Sequence, residues 1–146
     1  MHRALLRTAI AARNMGLQTT VDGVNAAEVA ARKEQASYLK QRDALEAIGL
    51  GEASKAVLAE LGKLIAESDR HFMDALGLAQ QFNNEQAAAI ITGKIDPLAL
   101  KIDDVLVRLT AAQASEAAAE QAQAQAQGRQ MLAVLVALGA VGIVVA

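Results

Sequence analysis

Arg13 stands in a row with Leu6, Ile10 and Leu17, spaced four, three and four apart, which is the spacing of one helix face. A guanidinium on an otherwise apolar seam needs a partner. A carboxylate ligand held by a bidentate fork is one candidate. An internal acid is another, with Glu34 on a comparable seam, and simple exposure is a third. Asn14, Tyr38, Arg70 and Thr92 are weaker candidates for contacting a small polar ligand. Tyr38 more often packs its ring in a core with the hydroxyl at the edge. Arg70, like His71, suits a solvated face, Arg42 is a further weak candidate, and Thr92 with Lys94 suits a turn.

Other constellations point away from catalysis. Asp103 and Asp104, with Asp96 nearby, could suggest a divalent ion. Adjacent helical residues diverge, however, and no loop supplies the alternating oxygens of a calcium site, so these read as surface charges. The two histidines, His2 and His71, are too far apart for a metal cluster. With no cysteine, thiolate chemistry, disulfides and cysteine-based metal sites are absent. No triad order, phosphate-cradling loop or paired carboxylates stand out. The expectation is a protein that is not an enzyme and uses no cofactor or metal.

The elements that must position these residues are helices. The 146 residues are 53% hydrophobic but only 2% aromatic, with one proline, and Ala, Leu, Gln, Glu and Lys dominate. The net charge of −2 argues neither for nor against most partners, and the lack of a basic, aromatic-interleaved stripe leaves a nucleic-acid partner without support. The periodicity predicts a first helix over 3–19 with Leu6, Ile10, Arg13 and Leu17 inward. A second, over 26–48, is capped by Asn25 and turns Val24, Ala27, Ala31, Glu34, Tyr38, Gln41, Leu45 and Ile48 inward. A third spans 52–81 with Val57, Leu61, Leu64, Ile65, Ser68, Phe72, Leu76 and Ala79 in a near-heptad seam. A short helix over 86–92 precedes a break at Gly93, and a fourth long helix starts near Pro97, capped by Asp96.

That fourth helix runs on through an Ala/Gln/Glu stretch into MLAVLVALGAVGIVVA (131–146). The run carries no charge and is apolar all round, unlike the one-sided apolar face of a soluble helix. It is 16 residues long, where a full span takes about 20. The expected fold is all-α: an elongated antiparallel four-helix bundle over 1–128, with its fourth helix continuing into a transmembrane helix over 129–146. MHRALLRTAIAARN is no signal peptide, because Arg3, Arg7 and Arg13 interrupt every apolar core; Met1 therefore reads as an internal start.

This order resembles the four-helix-bundle ligand-binding domain of bacterial methyl-accepting chemotaxis proteins. RTAIAARNMGL (7–17) is similar to the membrane-distal part of that family's first helix. QFNNEQAAAIITGKIDPL (81–98) resembles its turn and fourth helix, and KIDDVLVRLTAAQ with the Ala/Gln run and apolar tail keeps the family's order. The resemblance implies a periplasmic sensor in the bacterial inner membrane, with its first helix truncated. It also implies a homodimer that binds a small organic anion or amino acid, through Arg13 among others, and passes a helix displacement across the membrane for chemotaxis. The family's first membrane helix and its relay module have no counterpart in this sequence. The same bundle on a histidine kinase or cyclic-nucleotide enzyme is a variant of this reading. A tail-anchored scaffold that binds partner helices is the alternative of a different class.

Overall fold

The computed structural model describes the backbone of residues 1–18 and 20–144, and side chains within 1–131 apart from positions 2 and 19. Those residues form α1 (His2–Gly16), α2 (Val21–Ala47), α3 (Glu52–Gln80), α4 (Asn84–Ile90), a π-helical turn (Ile91–Ile95) and α5 (Asp96–Val144). No strand occurs among them. The helices run up, down, up and down, with α4, the π turn and α5 forming the fourth rod. α1 packs on α2, α3 packs on the fourth rod, and α2 and α5 stand diagonally apart.

Two boundaries differ from the periodicity. α2 starts at Val21, a turn earlier than expected, because Thr20 rather than Asn25 caps it: the Thr20 hydroxyl accepts from the Gly23 amide at 3.2 Å. The fourth rod is also unbroken. Gly93 and Pro97 do not interrupt it, because a π turn carries the chain from α4 into α5, and Asp96 is helical rather than a cap. In i→i+5 bonding each turn takes one residue more than in an α-helix. Residues four apart, such as Ala87, Ile91 and Ile95, therefore stay on one buried face.

The face of α1 is the main correction. Leu6, Ile10 and Leu17 are 51%, 55% and 77% exposed, so the large residues point outward. Ala4, Ala11, Ala12 and Met15 are buried instead. Small side chains let backbones approach, and the upper half of the bundle is built this way. Ala11, Ala12, Ala27, Ala31, Ala75, Ala79 and Ala87 form its core with Met15, Val24, Phe72, Leu76 and the isoleucines of the π turn. The lower half holds a second cluster of larger residues, among them Tyr38, Leu58, Leu61, Ile102, Val105 and Leu109.

At the lower end Gly49 (φ +79°) takes the left-handed conformation that lets the chain leave α2. Gly51 then begins α3 with no side-chain cap of its own. The cap comes from α5. The Glu116 carboxylate accepts from the Ser54 amide at 3.0 Å and from the Ser54 hydroxyl at 2.5 Å, and a Cβ on Gly51 would collide with it. These Ser54 bonds, above all the hydroxyl's, hold the Glu116 carboxyl below its ordinary range, against a smaller opposing effect of desolvation. A depressed carboxyl stabilises the fold above its unfolded pKa, and that contribution disappears as pH falls through the folded value. Glu116→Gln should therefore lower the melting temperature at pH 7, with the gap from wild type narrowing at pH 3. A gap of equal size at both pH values would show that the charge does not act.

Beyond Glu116 the described residues of α5 are exposed through Met131, so the helix leaves the bundle alone. The helix as a whole is 49 residues long, about 70 Å at 1.5 Å per residue. Among the described residues no helix is long and apolar enough to cross a membrane. The expected membrane helix over 129–146 lies, from residue 132 on, outside the described side chains.

Candidate functional site

A polar layer separates the two core clusters, with one residue from each rod: Thr8 on α1, Gln35 on α2, Ser68 on α3 and Asp103 on α5. All four are partly buried, and all four line a cavity of about 70 Å³. Its walls are otherwise mostly apolar, with Ala12, Ala31, Phe72 and Ile95 above and Ile65 and Ile102 below. Helical periodicity puts these residues at one level. In an antiparallel bundle, Thr8 climbing α1 meets Gln35 descending α2, and Ser68 meets the first turns of α5.

Tyr38 lines the same cavity. It is 1% exposed, and its hydroxyl is buried without a hydrogen-bond partner. A buried, unsatisfied hydroxyl costs about 1–3 kcal/mol. Burial also pushes the phenol above its ordinary value, with the Arg42 guanidinium partly opposing this. Asp69 and Arg32 complete the polar lining. Arg32 is engaged by the Glu28 carboxylate at 2.8 Å.

The other expected site residues lie elsewhere. Arg13 does form a bidentate fork, but its partner is Asp96, with Nε to Oδ1 and Nη2 to Oδ2 both 3.0 Å. Those bonds raise the guanidinium pKa and tie α1 to the start of α5. Glu34, the partner suggested by the seam, instead faces Arg7 at 3.4 Å. Asn14 and Arg70 are exposed. Thr92 is exposed in the π turn, where its hydroxyl donates to the Ala88 carbonyl at 2.9 Å. Of the five candidates only Tyr38 reaches the cavity. Asp103, expected on the surface, is a wall of it.

Thr8, Gln35 and Asp69 are not among the expected site residues, and Asp103 is expected only as a surface charge. The available signal was the polar Ser68 in an apolar seam, since a polar residue in one helix of a bundle calls for polar residues at the same level of its neighbours. No family model, curated protein or solved structure matches this chain.

Proposed function

We propose that this chain is the extracytoplasmic ligand-sensing bundle of a bacterial transmembrane receptor of the chemoreceptor type. In this reading a small molecule enters the cavity at the polar layer and favours one packing of the four rods. α5 then carries that preference toward the membrane. The observation that carries the proposal is the sharing of one helix: α5 contributes Ala99, Ile102, Asp103 and Leu106 to the cavity wall and runs without a break into the apolar stretch. A ligand moves such an equilibrium only by its differential affinity for the two packings. A guest bridging four rods can have that differential, because sliding any one rod changes its contacts.

The resemblance led to an anion held by Arg13, and Asp96 already occupies that guanidinium. The ligand contact is accordingly reassigned from α1's outer face to the cavity. The outward Leu6, Ile10 and Leu17 support the homodimer, since a second copy would cover them. The same stripe favours the alternative of a scaffold that docks a partner helix.

The test is a thermal-shift screen of the full chain in detergent against organic acids, amines and amino acids. A guest at 100 times its Kd stabilises by about 2.7 kcal/mol, enough to raise the melting temperature by several degrees. Ala31→Leu, which fills the cavity, should erase the hits. A screen without hits, or hits indifferent to Ala31→Leu, would defeat sensing through this cavity.

A further inference from the structure

We infer that Glu116 is a latch: its carboxylate, held on the first turn of α3, fixes the axial register of α5 where that helix leaves the bundle. The latch itself stands on geometry alone, and its use in signalling rests on the sensor reading. Three observations carry it. The first is that α3 is built to receive this side chain. Ser54 is wholly buried, and both its amide and its hydroxyl donate to Glu116. Gly51 leaves open the space that the carboxylate fills. Its φ of −68° suits any residue, so glycine supplies room here and not backbone freedom.

The second is direction. Hydrogen bonds weaken steeply as their geometry departs from the optimum, so two donors and a steric cradle define one position for the carboxylate. Two other polar ties of α5 are looser. Arg108 with Glu60 and Arg13 with Asp96 are joined through long, exposed guanidinium side chains, which can follow a sliding rod at little cost. The apolar contacts of Ile102, Val105 and Leu109 are non-directional. Ridges packed into grooves find their next fit about one helical turn along, roughly 5 Å.

The third is place. Glu116 is partly buried, and every described residue of α5 from 117 to 131 is exposed, so the bundle's last hold on this helix is the latch. Leu106, in the cavity wall, lies on the same unbroken helix, about 15 Å above it. Any axial displacement of the rod at the cavity therefore reaches Glu116 and has to open the latch before the exposed part of α5 can move.

The experiment measures distances between spin labels in the full chain in detergent, which has no native cysteine to interfere. Labels at Lys63→Cys on α3 and Gln123→Cys on α5 report the register, and labels at Lys33→Cys and Lys63→Cys report the rest of the bundle. With Glu116 in place the α3–α5 pair should give one distance. Glu116→Ala, and separately Gly51→Ala, should each add a second distance differing by about 5 Å, one turn, while the α2–α3 pair keeps its single value. The two substitutions together should do no more than either alone, because both open one contact. Should Glu116→Ala fail to fold, Ser54→Ala takes its place. A single unchanged α3–α5 distance in the variants, even with a lower melting temperature, would reduce Glu116 to a helix cap and overturn the latch. Broadening of both pairs would mean general loosening and overturn it too, and additive effects would separate Gly51 from Glu116. No ligand enters these measurements, so a failed screen leaves the latch standing, and a failed latch leaves the cavity to its own test.

Discussion

Leu61→Ala is expected to destabilise the bundle by about 3 kcal/mol, within the 2–5 kcal/mol range of buried leucine truncations. Leu61 is wholly buried in the lower cluster, where α3 meets α5 and Tyr38. Its neighbours sit on rigid helices and cannot collapse fully into the space left behind. For a chain of this length the loss corresponds to roughly 10 °C in melting temperature. Leu100→Ala makes the matching control. Leu100 is 75% exposed, so its truncation should stay within about 0.5 kcal/mol. Chemical denaturation of both variants checks the pair, and equal losses would contradict the assignment of α5's inner face.

The second large effect concerns the tail. Leu135→Arg with Leu138→Arg is expected to abolish membrane association, because each arginine near the centre of a span costs about 2.5–3.5 kcal/mol on the insertion scale. The measurement is alkaline extraction of membranes from cells making the full chain. Wild type should stay in the pellet and the double variant should be released. Wild-type protein released by carbonate would remove the membrane from the proposed function, leaving the bundle and its cavity as a water-soluble binding module.

Much of this architecture can be read from residue types alone. Four rods, the heptad seam of α3 and most of α2's buried face follow from spacing. The failures have physical causes. On α1 the large residues Leu6, Ile10 and Leu17 attract the eye, whereas close packing selects Ala4, Ala11 and Ala12, and single-sequence periodicity weights size over fit. Gly93 and Pro97 signal a break wherever the helix must keep α geometry, and the π turn relieves that condition. The missing cap of α3 was visible as a glycine at its start. The identity of its replacement was not, since Glu116 lies 62 residues from Ser54. Tyr38 could be singled out as a candidate. That its hydroxyl goes unanswered depends on four helices at once, so no local pattern reveals it.

The wide turn between Ile91 and Ile95 also bears on how this rod could change length over generations. Removing a residue from an ordinary α-helix swings everything downstream by about 100°, turning a buried stripe toward solvent. Here one surplus residue is already stored in the backbone. A shortened lineage could surrender it, tighten the turn to regular α geometry and keep both Ala87 above and Leu98 below facing inward.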